Sequence, residues 1–437
     1  MNDDLLTTLM QKIEEPSARF AELDRYYTGT QPLAFLSPES RRALGDRFGR
    51  LATNLPRLAV TSLAERLRVT GFTGADVWPD WLRNDLDQDS GIAHREALLL
   101  GSSYVIVWAD QFGRPKVTVE SAKQVAVLTD PGTRRITAAV KRWETAKTTE
   151  AVVYLPTEII RLRAEQTGAT TAGFKVVEVL VNPLGMVPVV RLKNSDRLLD
   201  DGVSEIEDLK PLVDALNKVL VDMMTTSEYV GRPRRWATGI ELEERDVLDD
   251  DGNPTGETEA ANPIPESARM MVSESDATRF GQLEAAGLDG YKTAVDVLVS
   301  QIMAVSALPA HYLGALTNAP TSADALRAAE ASLTARAEAR QASFGRSWED
   351  VARLVIGVRD GVDPQRVDVR VTWADAATRS VAQEADGVTK LYAAGLLPAS
   401  WALKRLGYSD SEITEIAAAR RSDSLNSMAV DLGKLVS

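Results

Sequence analysis

The chain has 437 residues, 44% hydrophobic and 26% charged, enough to pack two or three domains and far from the composition of a disordered polymer. It has no cysteine and only two histidines, His94 and His311, which excludes disulfides, thiolate nucleophiles and Cys/His zinc sites and fits a reducing compartment. Against 63 acidic residues stand 50 basic ones, a formal charge of -13, the wrong sign for gripping nucleic acid through its phosphates. Like-charge repulsion would instead suit a surface along which DNA slides.

The opening "MNDDLLTTLMQK" carries acids where a signal peptide needs bases, and no apolar run reaches the roughly 18 residues that span a bilayer. A soluble, non-secreted protein with no membrane partner is expected. The first hundred residues are predicted as helices separated by breakers. In "SRRALGDRFGRLATNLPRLAVTSLAERLRV" the apolar residues recur at helical spacing, and Leu58, Ser62 and Glu65 break any strand alternation. From Ser102 the period shortens to β-branched runs divided by the turn signals "DQFGRP" and "TDPGTR". An antiparallel sheet is predicted from there through "EAVVYLP", "EIIRLRAE", "FKVVEVLV" and "MVPVVRL" to about Lys193.

Two matched helices come next, each of about 20 residues and about 30 Å. In the first, Ser204 and Glu207 have capping-box spacing, and Leu209, Leu212, Val213, Leu216, Val219, Leu220, Met223 and Met224 form an apolar stripe. Pro211 must lie in the first turns or kink the helix, and Gly231 and Pro233 end it. The second, "GYKTAVDVLVSQIMAVSALP", places Tyr291, Val295, Leu298, Ile302 and Val305 at spacings of four and three. Between them, "RRWATGIEL" and "ARMMVSE" read as strands, while the acidic "EERDVLDDDGNPTGETEAANPIPES" reads as a loop or disordered tip. The pair is therefore a stalk with an inserted head.

After Pro309, the small-residue stretch "GALTNAPTS" leads into helical pattern from Ser322 to Ile356, about 50 Å long. Thr321 and Asp324 have the spacing of a helix-start cap. Leu326 and Leu333 are the large apolar residues of its first half, whereas Phe344, Trp348, Val351 and Val355 give the second half a buried face, with Gly345 a candidate kink between them. "RVDVRVTWAD" is a strand, and Val381 to Leu435 reads as short helices joined by "AAGLLP" and "LGYSD".

Catalytic signatures are missing from the sequence. The Gly433-Lys434 pair is followed by leucine and makes no phosphate-binding loop, and there is no G-x-S-x-G elbow. His94 and His311 are read as structural. Asp249, Asp250, Asp251 and Asn253 cluster beside Gly252, yet Val247 occupies the first ligand position an EF-hand requires, so a solvated loop is the simpler reading. Arg232, Arg234 and Arg235 could bind an anion, or only complement a helix C-terminus.

The order of these elements, together with "YYTGTQPL", "NLPRLAVTSLAERLRVTGF", "LTNAPTSADALR" and "RSVAQEADGVTKLYAAGLLP", resembles the portal proteins of tailed bacteriophages, specifically the Gp6-like family common in phages of actinobacteria. The resemblance implies an α+β portal fold, mainly helical: an antiparallel sheet wing with N-terminal helices (1–203), stem helices (204–231 and 287–309), a small α/β clip (232–286), a tunnel loop with a long kinked helix and a return strand (310–380), and a helical crown (381–437). It implies a non-enzymatic homo-oligomeric ring, usually of twelve subunits, at one capsid vertex, assembled in the host cytoplasm and needing no cofactor. Double-stranded DNA is packaged and ejected through its channel.

By the same resemblance Leu316, Thr317, Asn318, Ala319, Pro320 and Thr321 form the DNA-facing tunnel loop. Arg234, Arg235, Trp236, Glu241, Glu243 and Glu244 lie in the clip, which docks the terminase large subunit and later the head-tail adaptor. Leu212, Leu216, Val219, Val295, Leu298 and Ile302 pack the stem, and the wing meets major capsid and scaffolding proteins. From the residues alone, 316–321 reads as an ordinary surface loop at a helix start. An adaptor or scaffold without a channel, and a carboxylate-metal nuclease built on Asp249 to Asp251, are the competing functions.

Overall fold

The computed structural model describes residues 3–34, 51–230, 235–239, 243–248, 254–261, 277–282, 287–313, 323–377, 381–408 and 412–422. The chain divides into two units, the first made of Met1–Phe20, Ala59–Ser204 and Ala307–Ser437 and the second of Ala21–Leu58 and Glu205–Ser306.

In the first unit the β-branched runs become eight antiparallel strands: β2 (Ser102–Ala109), β3 (Pro115–Ser121), β4 (Val125–Thr129), β5 (Ile136–Glu144), β6 (Thr149–Tyr154), β7 (Glu158–Ala164), β8 (Lys175–Val181) and β9 (Val189–Lys193). They form a three-stranded sheet, β3-β2-β9, and a five-stranded meander, β4 to β8. The two turn signals act through aspartates. Asp110 Oδ1 accepts from the amides of Phe112 and Arg114, both at 2.8 Å, and Asp130 Oδ1 from the amide of Thr133 at 2.6 Å. Helix α1 (Asp3–Glu14) lies on the meander and buries Leu6, Leu9, Met10 and Ile13 with Val140, Val153, Ile160 and Leu162. Strand β2 is buried at six consecutive positions, hence on both faces.

Helices α2 (Ser17–Thr28) and α3 (Leu55–Ala64) form where helix was predicted, but the first hundred residues are not all helical: Val69–Thr73 is strand β1. It pairs antiparallel with β14 (Arg370–Trp373), so its stabilising partner lies some 300 positions along the chain, beyond the reach of a local pattern. Helices α4 (Trp78–Arg83) and α5 (Leu86–Leu100) follow. Gly101 and Gly202 both have positive φ, and a Cβ on either would strike the backbone of the other. Asn194 completes this crossing, its amide donating to Gly101 O at 2.9 Å and its Nδ2 to Val203 O at 2.7 Å.

The long helix α8 runs unbroken from Ala323 to Asp360, straight through the position where a kink was expected. Gly345 has a packing role: a Cβ there would lie 3.1 Å from both Val371 Cγ1 and Trp373 Nε1 on β14. The buried line of α8 is Glu330, Leu333, Ala337, Arg340, Phe344, Trp348, Val351 and Val355. Its second half meets an aromatic cluster in which Trp81 and Trp348 pack edge to face at 4.9 Å and His94 stacks on Phe344 at 5.6 Å. C-terminal helices α9 (Val381–Ala393) and α10 (Ala399–Arg405) and a helical stretch at 412–422 complete the described chain.

In the second unit, α6 (Lys210–Val230) and α7 (Asp289–Ser306) are the predicted helix pair. The expected capping box is not the helix start. A 3-10 turn over Glu207–Leu209 comes first, with Ile206 at its N-cap and no side-chain cap, and α6 begins at Lys210. Pro211 explains this, since proline fits the first helical turn, where its missing amide has no partner to lose. The segment 21–58, expected within 1–203, groups instead with the helix pair. Tyr26 Oη donates to Asp214 Oδ2 at 2.8 Å, Lys210 pairs with Glu22 at 3.0 Å, and the Thr53 amide donates to Asn217 Oδ1 at 3.3 Å.

The head between the helices carries two antiparallel pairs, β10 (Arg235–Thr238) with β13 (Arg279–Gln282) and β11 (Glu243–Leu248) with β12 (Pro254–Ala261). The acidic stretch expected as a loop or disordered tip is therefore largely a hairpin. Every described regular element of 232–286 is a strand, in place of the expected α/β mixture. The expected strand "ARMMVSE" lies outside the described residues.

Candidate channel and docking elements

Residues Leu316 to Thr321 lie outside the described residues; the structure describes what flanks them. Before the segment stands a 3-10 turn, Ala310–Leu313, and after it α8 begins at Ala323. Arg66 holds both sides. Its Nη1 donates to Ala376 O at 2.6 Å and Thr334 Oγ1 at 3.4 Å, and its Nη2 to Glu330 Oε2 at 3.0 Å and Tyr312 Oη at 3.2 Å. The other oxygen of Glu330, Oε1, lies 3.3 Å from His311 Nε2. Burial disfavours the guanidinium charge, but the hydrogen bonds of Glu330 and Tyr312 prevail and hold the Arg66 pKa above its ordinary value.

A second charge on the buried line is also paired, since Arg340 makes a two-pronged contact with Asp196. The hydrogen bond from Arg340 holds the Asp196 carboxyl below the usual carboxylate range. Gln341 Nε2 donates to Arg66 O at 2.9 Å and Ala374 O at 3.0 Å. Sequence reading missed Glu330 and Arg340, because charged side chains in a run of Ala, Glu and Arg look like a solvated face. The signal available was their period, which continues the spacing of Leu333, Phe344 and Trp348.

On the helix pair, Leu216 and Ile302 are buried, while Leu212, Val219, Val295 and Leu298 are half-buried. The stripe on α6 is narrower than predicted. Leu209, Val213, Leu216, Asn217 and Val221 are buried and Met224 is exposed; Val305 is exposed on α7. The two helices also share a hydrogen bond of 2.9 Å between Thr226 Oγ1 and Tyr291 Oη.

In the head, Arg235 lies in β10 and Glu243 and Glu244 in β11, while Arg234 and Glu241 fall outside the described residues. Trp236 is exposed, and its indole lies across Gly281, its register partner on β13, in space a Cβ would occupy. Asp249, Asp250 and Asp251, on which the competing metal-nuclease reading would be built, lie outside the described residues. Among the described residues no group of three His, Asp or Glu could hold a metal, and no helix is long and apolar enough to cross a membrane. His94 is fully buried and accepts from Trp348 Nε1 through Nε2 at 2.8 Å.

The family described as "Phage portal protein, SPP1 Gp6-like" matches residues 11–424. The chain is 32% identical over 389 residues to the portal protein of Mycobacterium phage D29 and 32% identical over 388 residues to that of Mycobacterium phage L5, each alignment covering 83% of this chain and 77% of the relative. Among solved structures it is similar to a chain from the neck of an empty GTA particle computed with C6 symmetry, with 14% identity, a TM-score of 0.51, and coverage of 89% of this chain and 94% of that one. That likeness is one of fold.

Proposed function

Since the chain belongs to the SPP1 Gp6-like family of phage portal proteins, we propose that it forms a homo-oligomeric ring of about twelve copies at one capsid vertex, through which double-stranded DNA is packaged and ejected. The observation that carries this is the extent of the family match, residues 11–424, which takes in the helix pair, its inserted head and the long helix with the segment before it. The reading divides the chain into wing (1–203, less the 21–58 segment that joins the helix pair), stem (204–231 and 287–309), clip (232–286), tunnel loop with the long helix and return strand (310–380) and crown (381–437). Leu316 to Thr321 face DNA.

The clip receives the terminase large subunit and then the head-tail adaptor. Trp236 supports this, as an exposed indole lying over the glycine opposite it is the kind of side chain that anchors a protein interface. The wing meets major capsid and scaffolding proteins, the mature location is the virion, and no catalytic step is assigned to the chain. Negative-stain images of the purified protein, alone and after addition of capsid protein, test the reading. Rings with a central hole are expected; monomers under both conditions, or closed particles without a hole, would overturn it.

A further inference from the structure

We propose that Arg66 is a positioning residue that locks the 3-10 turn Ala310–Leu313 and the first half of α8 into one rigid mount. Its functional arm rests on the reading of Leu316 to Thr321, which lies between these two elements in the chain, as the DNA-facing loop.

The argument begins with what is missing from the first half of α8. Among its described residues Leu333 is buried while Leu326 is 37% exposed, so apolar burial gives this half little to be held by. Its other large buried side chains are Glu330 and Arg340, both charged. A buried ion pair is a poor source of net stability, because an apolar pair of the same volume stabilises as well or better. What the pair contributes is direction. A guanidinium is a planar fork with fixed donor angles, so four acceptors around it hold four pieces of backbone in one relation.

Those pieces here are the 3-10 turn through Tyr312, two successive turns of α8 through Glu330 and Thr334, and the chain leaving β14 through Ala376 O. Glu330 closes the circuit by facing His311 on the same 3-10 turn. The backbone carbonyl of Arg66 is gripped as well, by Gln341. One residue therefore fixes α8 at three positions, Glu330, Thr334 and Gln341, the outer two about 16 Å apart along the helix. With the side chains of Arg66 and Glu330 each only 9% exposed, water offers little competition.

Hydrogen exchange measured by mass spectrometry on the full-length protein tests the mount directly. Two variants are compared with wild type: Arg66→Lys, which keeps the charge and loses the fork, and Arg66→Met with Glu330→Met, which leaves no unpaired charge behind. In both, amides of 311–313 and 323–334 should exchange faster by roughly tenfold or more, while those of 344–356 on the aromatic-clamped half stay as in wild type. Unchanged exchange at 323–334, or equal acceleration in both halves, would overturn the proposal. Packaging assays supply the second arm, with Asn318→Lys as the control for the loop itself. Both Arg66 variants should assemble procapsids yet package DNA at least about tenfold less well. Normal packaging by these variants beside impaired packaging by Asn318→Lys would overturn the positioning role. Normal packaging by Asn318→Lys as well would sink the DNA-facing reading, leaving the exchange result to decide the mount.

Discussion

His94 shows how much a single position can reveal once its surroundings are known. Burial pushes its pKa down to about 3, so the folded protein holds a neutral imidazole that accepts from Trp348. The unfolded chain takes up a proton near the ordinary value of 6.5. Stability from this residue is therefore fully present above that pH and drains away as pH falls, by on the order of 1 kcal/mol per pH unit. Urea midpoints measured at pH 7.5 and pH 5 should fall accordingly, and His94→Gln, which can still accept from the indole without titrating, should flatten the slope between them. An unchanged slope would mean that His94 is not the group responsible. The glycine crossing makes a steric counterpart. Gly202→Ala combines a positive φ with a collision against Gly101 backbone, so a loss of roughly 2–4 kcal/mol is expected in equilibrium denaturation. An alanine at Gly185, which has positive φ and open space around it, should cost less.

At the scale of elements, α8 joins two kinds of attachment in one helix, and alanine substitutions should separate them. Phe344→Ala and Trp348→Ala empty a closed aromatic cluster and should each cost about 3–5 kcal/mol, whereas Leu326→Ala should stay within roughly 0.5 kcal/mol. Similar losses at all three positions would show that the first half is packed as tightly as the second. This contrast was half legible in the sequence. Phe344, Trp348, Val351 and Val355 announced a buried face, but Glu330 and Arg340 continued the same line in charged residues, and a pattern of apolar letters passes over them. The strands from Ser102 to Lys193 were legible because each is bounded by turn chemistry and rich in β-branched residues. Strand β1 was not, since its pairing partner is β14. The β11–β12 hairpin was hidden by its acidity, although the Asp251-Gly252 pair between its strands is a strong short-range hairpin signal. The attachment of 21–58 to α6 runs through Tyr26, Glu22 and Thr53, polar residues whose pairing with Asp214, Lys210 and Asn217 no local period encodes.

For the whole molecule, charge and composition carry the argument about DNA. In the proposed ring, a formal charge of -13 on each copy would set up a field that repels a polyanion and leaves it free to move, so the purified protein should bind free duplex only weakly near physiological salt. Leu316 to Thr321 carries no charged side chain, and the proposal that it faces DNA rests on family resemblance more than on any physical pattern. Replacing Asn318 and Thr321 by lysine would place a ring of cations against the phosphates, each contact having to break at every advance. Rings and procapsids should still form, because the segment is short and Leu316 is its one large apolar residue, while packaging should fall. The absence of cysteine makes a direct measurement possible, as a thiol introduced at Asn318 would be unique in the chain. It should react with a small maleimide in empty particles and be shielded once DNA fills them. A thiol at Asn318 that reacts equally in empty and filled particles would show that this segment does not face DNA.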